Sequence, residues 1–369
     1  MSKRTFLLSG GGTGGHVYPA IAIADALKSI NAENTVEFAG TRNRMEWIAV
    51  PKAGYPIHEI WISGIQRRLT LKNLAVPFKL VASLWQSRKL IKKVKPDAVI
   101  CTGGYVSGPI GWTAGLMGIP LFLQEQNSYP GVTTRLLSRF ATIIFTAFDD
   151  ARKWLPSSKI MLLGNPVRSS ILEINENPHT HFGFDSKKKT ILILGGSGGA
   201  KAINDTIMKN LKFLHDDMNL QIIWQSGNRY LDAIKEVLNI SSYPNLRLYS
   251  FIDHMPNAYA TADFVVSRAG ASICSELMVT GKPSVLIPSP NVAGDHQTMN
   301  AKAMEAGGAS LLLKEQDINK KFREVVVRLL QNDQNLSDMK SAALEMAKPD
   351  AAHHIATEIS TILNRLNHD

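Results

Sequence analysis

The feature that most constrains this chain is a short apolar strand running directly into glycines, a pattern met four times. Residues 5–9 (TFLLS) lead into Gly10, Gly11, Gly12, Gly14 and Gly15, and a helical pattern with Ile21, Ala24 and Leu27 on one face begins near Pro19. The plan returns at Thr190–Leu194, followed by Gly195, Gly196, Gly198 and Gly199 and a helix carrying Ala202, Ile203 and Ile207. Each half adds a second such unit, residues 98–104 (AVICTGG) in the first and 263–271 (DFVVSRAGA) in the second. Strands alternating with helices at this spacing build parallel sheets covered by helices on both faces. The fold class is therefore α/β, with two Rossmann-like parallel-sheet domains in tandem, for which 369 residues suffice. The expected division is 1–164 and 165–345, with a linker at Pro166, which forces an extended residue before it. Residues 346–369 form the C-terminal segment, whose helix, Ala351–Leu366, has Ile355, Ile359 and Ile362 inward and is expected to pack back on the first domain. Ligands of open parallel sheets bind outside the carboxyl ends of the strands, so the glycine turns are expected to face one cleft.

Charge separates the two halves. Residues 1–165 carry 20 Lys and Arg against 9 Asp and Glu, whereas residues 166–369 carry 21 against 22. Nine cations and no acid lie between Glu59 and Asp97, interleaved with apolar residues. Lys72, Phe78, Lys79, Trp85, Arg88 and Lys89 belong to this stretch. Three readings fit it: an anionic membrane surface, a solvated helix whose apolar side is core, or nucleic acid. Residues 98–124 carry no charge, but six glycines and two prolines interrupt them, which argues against a membrane-spanning helix. Two cysteines, Cys101 and Cys274, are too few for a disulfide framework.

The glycine turns suit phosphate, because glycine lets the backbone approach and a helix N-terminus favours negative charge. Gly10, Gly12 and Gly15 match the dinucleotide spacing, but the second strand, residues 35–39, ends in Ala-Gly-Thr without the acidic residue a nicotinamide site wants. His16 stands where the first helix starts, placed to act as a base or to bond a phosphate. Residues 268–276 (RAGASICSE) run from a buried-type strand through small residues into a helix, with Glu276 a turn inside, placed to grip a ribose diol. Residues 295–301 (DHQTMNA) cluster donors and acceptors suited to sugar hydroxyls. No Asp-x-Asp occurs and no Cys/His grouping has metal-ligand spacing, so no cofactor or metal is expected to be required.

Taken in order, GGTGGHVYPA from Gly11, TGGY from Thr102, QEQN from Gln124, GNPVR from Gly164, GGSGGA from Gly195, FIDHM from Phe251, RAGASICSE from Arg268 and DHQTMNA from Asp295 resemble the MurG family of bacterial glycosyltransferases. The resemblance implies a GT-B fold and transfer of N-acetylglucosamine from UDP-N-acetylglucosamine to the C4 hydroxyl of the MurNAc sugar of lipid I, with inversion, giving lipid II. It implies an acceptor and membrane domain first and a UDP-N-acetylglucosamine domain second. It places Ile252 at the uracil, Glu276 at the ribose, and Ser197 with Ala271, Ser272, Ile273, Cys274 and Ser275 at the diphosphate. Arg168 would meet the donor and Gln297 the sugar hydroxyls, while Thr13, Gly14, Gly15 and Asn127 line the cleft from the other side. His16 and Glu125 are the two candidates for the catalytic base. The implied partners are UDP-N-acetylglucosamine, the polyprenyl-pyrophosphate acceptor lipid I and an anionic membrane, not nucleic acid, at the cytoplasmic face of the inner membrane. A different glycolipid or small-molecule acceptor is the alternative. The chain departs from the family pattern at Arg44, Gly198 and Thr298.

Overall fold

The computed structural model describes residues 3–63, 76–167, 169–174, 177–196 and 198–366. It divides into two units, Met1–Arg168 with Lys348–Asp369, and Ser169–Ala347.

The first unit holds seven strands: β1 (Thr5–Gly10), β2 (Thr35–Gly40), β3 (Ile57–Glu59), β4 (Ala98–Gly103), β5 (Leu121–Glu125), β6 (Ile143–Thr146) and β7 (Ile160–Leu162). They pair in the order β3-β2-β1-β4-β5-β6-β7, each pair parallel. Apolar runs such as Phe6-Leu7-Leu8 become strands because both faces of the sheet are covered. Alternate side chains take opposite faces. Phe6, Leu8, Ile100 and Phe122 pack with the helix Gly14–Ile30 and with Ile355 and Ile359 of the helix Ala351–Leu366. Leu7, Val99 and Leu121 pack with Leu90, Ile91 and Ile110 on the other side. Arg4 ties the C-terminal helix down, its Nη1 donating to the Ser360 carbonyl at 2.9 Å and its Nη2 to Asn364 Oδ1 at 2.5 Å. Leu363 is buried on that helix, and Ile362, expected inward, is only half-buried.

The second unit holds β8 (Thr190–Leu194), β9 (Gln221–Gln225), β10 (Leu246–Tyr249), β11 (Phe264–Ser267), β12 (Ser284–Leu286) and β13 (Ser310–Leu312). Their order is β10-β9-β8-β11-β12-β13, again all parallel. Both sheets therefore reverse their winding between the first and fourth strand, β1 beside β4 and β8 beside β11. In each sheet such a reversal opens a crevice at the carboxyl ends of those strands, where that sheet's two glycine turns lie.

The helix from Val76 to Val94 buries Ser83, Ser87, Leu90 and Ile91, whereas Phe78, Val81 and Trp85 are 76%, 69% and 66% exposed. Its largest apolar side chains therefore do not serve the core. Together with Pro77 and Ala82 they line an apolar groove. Lys89 lies over the Trp85 ring at 5.5 Å, and Lys79 over Trp61 at 5.5 Å. Among the described residues no helix is long and apolar enough to cross a membrane.

Candidate active site

In the first unit the turns after β1 and β4 are packed backbone on backbone. The Gly11 amide donates to the Gly103 carbonyl at 3.2 Å, and a side chain on Gly104 would lie 2.2 Å from the Gly11 carbonyl oxygen. A side chain on Gly10 would meet Thr102 Oγ1 at 1.9 Å, an atom that itself donates to the His16 carbonyl at 2.7 Å. The helix starts at Gly14, with exposed Thr13 as its N-cap, rather than near Pro19. Glycine is a poor helix former, and a side chain on Gly14 would meet the Met45 sulfur and the Tyr18 ring at 3.2 Å. Gly14 and Gly15 thus stand half-buried in the first turn, where amide hydrogens have no partner within the helix.

His16, in the same turn, is half-buried, its Nδ1 3.0 Å from the Thr102 carbonyl and 3.0 Å from Gln126 Oε1. Gly103, at φ +107°, is what admits the ring, since a side chain there would lie 2.7 Å from Nδ1. Glu125 is buried and its carboxylate is engaged: Oε1 accepts from Asn127 N and Nδ2, both at 3.1 Å, and Oε2 from the Gly131 amide at 3.1 Å. It shapes the loop after β5 and positions Asn127.

Sequence reasoning passed over Glu46. This residue is 1% exposed and accepts from the Gly12 amide at 2.9 Å and the Thr41 amide at 3.2 Å. A buried carboxylate thus holds the first glycine turn to the end of β2. The acid six residues after Gly40 was the available signal.

In the second unit the arrangement repeats. Gly199, at φ +75°, lies so close to β9 that a side chain would come within 2.3 Å of the Ser226 carbonyl, and one on Gly227 within 2.4 Å of the Gly199 backbone. Gln225, at the end of β9, links three segments. Its Nε2 donates to the Gly196 carbonyl at 3.3 Å, and its Oε1 accepts the Ile252 amide at 2.9 Å. The Ile252 amide is thus engaged within the protein. Side chains added at Gly196, Gly198 or Gly270 would meet nothing within 4 Å, so open space lies over both turns.

The helix Ala271–Val279 is capped by Gly270 and opens with the sequence Ala271, Ser272, Ile273. The Ser272 hydroxyl is buried and has no hydrogen-bond partner among the described residues. Cys274 and Ser275 offer nothing from their side chains: the thiol is fully buried, which pushes its pKa up to about 12, and Ser275 Oγ donates to the Ala271 carbonyl at 3.0 Å. One turn further, Glu276 Oε2 accepts the Tyr259 hydroxyl at 2.8 Å. Asn300, fully buried, donates to the Ala269 carbonyl at 3.2 Å and thereby fixes the start of the helix His296–Ala306 beside this turn. On that helix Gln297 Oε1 accepts the Ser289 amide at 2.9 Å, which leaves its NH2 group directed by the backbone. Lys72, Arg168 and Ser197 lie outside the described residues. Among the described residues no group of three or more His, Cys, Asp or Glu side chains is arranged to hold a metal ion.

Two parallel sheets with paired glycine turns at their reversal points define a protein that handles nucleotide-linked substrates. Residues 6–146 match the glycosyltransferase family 28 N-terminal domain and residues 190–355 the family 28 C-terminal domain. The chain belongs to glycosyltransferase family 28 and, within it, to the MurG transferases. It is 43% identical over 368 residues, 99% of either chain, to a Salinibacter ruber protein named UDP-N-acetylglucosamine--N-acetylmuramyl-(pentapeptide) pyrophosphoryl-undecaprenol N-acetylglucosamine transferase. A Flavobacterium psychrophilum protein of the same name is 44% identical, with 97% of this chain and 98% of that one covered. The crystal structure of Acinetobacter baumannii MurG matches with a TM-score of 0.78 at 31% identity, over 97% of this chain and 99% of that one.

Proposed function

We propose that this enzyme transfers N-acetylglucosamine from UDP-N-acetylglucosamine to the C4 hydroxyl of the MurNAc sugar of lipid I and so forms lipid II. The observation that carries this reading is full-length identity of 43% to a transferase named for that reaction.

The second unit takes the donor. The Ile252 carbonyl receives the uracil, Glu276 the ribose diol, and the amides of Ala271, Ser272 and Ile273, with the unpaired Ser272 hydroxyl, the diphosphate. Helix-terminal amides favour the negative charge that grows on departing UDP. The first unit takes the acceptor at its glycine turns, with Thr13, Gly14, Gly15 and Asn127 toward the reacting sugars. In one displacement the acceptor C4 oxygen bonds to the anomeric carbon as the bond to the UDP oxygen breaks. The bonding electrons leave with UDP, the configuration inverts, and the hydroxyl proton passes to His16 Nε2. His16 takes this role rather than Glu125 because both Glu125 oxygens are already occupied by N–H donors.

The groove at Phe78, Val81 and Trp85, flanked by Lys79, Arg88 and Lys89, rests on an anionic membrane surface, where a lipid-linked acceptor is found. Apolar side chains enter the interface and cations meet lipid headgroups. The enzyme is then peripheral, at the cytoplasmic face of the inner membrane. Incubation with labelled UDP-N-acetylglucosamine tests the activity. Label is expected in a polyprenyl-diphospho-MurNAc acceptor. Absence of label there, with transfer to another glycolipid, would assign a different acceptor.

A further inference from the structure

We infer that Gln126 is a positioning residue that sets the tautomer of His16, through a directed chain of buried side-chain amides reaching back to Asn165; this rests on reading His16 as the proton acceptor.

The direction of the chain follows from which atoms can only accept. Gln126 Nε2 lies 2.7 Å from the Thr102 carbonyl and 3.3 Å from the Gln124 carbonyl, and it also donates to Gln124 Oε1. Surrounded by acceptors, that atom must be the NH2 group, so the atom 3.0 Å from His16 Nδ1 is the Gln126 carbonyl oxygen. The second neighbour of Nδ1, the Thr102 carbonyl at 3.0 Å, also only accepts. Nδ1 therefore carries the hydrogen, and the neutral ring keeps its lone pair on Nε2. Gln124, with Oε1 taken, turns its own NH2 to Asn165 Oδ1 at 3.3 Å.

Gln124, Gln126 and Asn165 are 1%, 1% and 4% exposed, so protein rather than solvent orders the chain. Buried amides are costly unless paired. Turning any one of them over would set donor against donor, which gives the chain its single sense. The consequence for catalysis is specific. The other tautomer would present an N–H at Nε2 to the acceptor hydroxyl and could not take its proton. Gln126 touches neither substrate in this scheme and acts through His16.

Nitrogen-15 NMR of the full-length protein with labelled histidine tests this, with the His16 signals assigned by their loss in His16→Gln. In the wild-type protein the neutral form of His16 is expected to show a protonated Nδ1 and an unprotonated Nε2. In Gln126→Met, which keeps the length and removes the amide, the signals are expected to move toward a mixture of tautomers. Its kcat is expected to fall about tenfold, with the KM for UDP-N-acetylglucosamine unchanged. A protonated Nε2 in the wild-type protein would overturn the assignment, and that measurement needs no variant to fold. A folded Gln126→Met with a single unchanged tautomer, or with wild-type kcat, would overturn the role of Gln126. Near wild-type turnover in His16→Gln, with the wild-type tautomer as assigned, would remove the base reading and leave the tautomer chain standing.

Discussion

The Tyr259 hydroxyl donates to Glu276 Oε2 at 2.8 Å, so a buried tyrosine orients the carboxylate proposed to hold the donor ribose. Tyr259→Phe removes this hydrogen bond and keeps the buried ring. A bond of this kind contributes about 1 kcal/mol, roughly a fivefold effect. The KM for UDP-N-acetylglucosamine is expected to rise about fivefold with kcat within twofold, as read by steady-state kinetics. A selective fall in kcat would show that Glu276 acts beyond binding.

Glu46 supplies the first glycine turn with a different support, since its carboxylate receives two backbone amides inside the protein. Glu46→Ala leaves both amides without that partner. Both hydrogen bonds are part-buried, and a hydrogen bond to a charged group contributes about 1.5–3 kcal/mol, so thermal unfolding is expected several degrees lower. Acceptor kinetics are expected to suffer more than donor kinetics.

His16→Ala removes the proposed proton acceptor. Loss of a general base costs about 10²–10⁴ in rate, and the deficit is expected in kcat at saturating concentrations of both substrates. A fall of less than a few-fold would end its catalytic assignment.

Lys79, Arg88 and Lys89 flank the exposed Phe78 and Trp85. Each cation near an anionic surface adds about 1 kcal/mol. Changing all three to glutamate is expected to weaken binding to anionic vesicles more than 100-fold at low salt. Turnover of a short-chain, water-soluble acceptor is expected to stay near the wild-type value. Vesicle binding by flotation, set beside that assay, checks both halves of the statement.

Lys282 is largely buried, and its Nζ donates to the Ala262 carbonyl at 2.8 Å. Burial lowers its pKa from 10.5 to about 8, against the opposing pull of Asp263. Below pH 8 the ammonium is charged in both the folded and the unfolded chain, and the full burial penalty stands. Between pH 8 and 10.5 the unfolded chain keeps the proton that the folded one loses, so stability rises with pH. Lys282→Met is expected to be more stable than wild type at pH 7, by about 1–3 kcal/mol, and to lose the rise attributable to this group. Denaturant melts at pH 7 and pH 9.5 measure both effects.

The parts legible in the sequence are those determined by local pattern. The strand Thr190–Leu194 and the helix Ala351–Leu366 have the bounds that their apolar runs suggest. Parallel strands buried on both faces read as continuous apolar runs, and that makes them conspicuous. The glycine turns were equally plain, because close backbone approach leaves no room for another residue. The first helix begins at Gly14, ahead of the apolar pattern near Pro19, because Gly14 and Gly15 have low helix propensity and no side chain to mark a helical face.

Two parallel α/β sheets, four glycine turns at strand ends, the family and the one-sided placement of charge all follow from the order of residues along the chain. Which polar groups serve those turns follows from the packing of the folded protein. Glu46 meets Gly12, Gln126 meets His16, Gln225 meets Ile252 and Tyr259 meets Glu276 because parallel strand order brings the ends of distant segments together. That packing also decided that the helix Val76–Val94 buries its serines and turns Phe78 and Trp85 outward. The physical reason is the same in each case. A strand or helix declares itself through the side chains of near neighbours, whereas a hydrogen-bond partner or an exposed face is chosen by the packing of elements far apart in the chain.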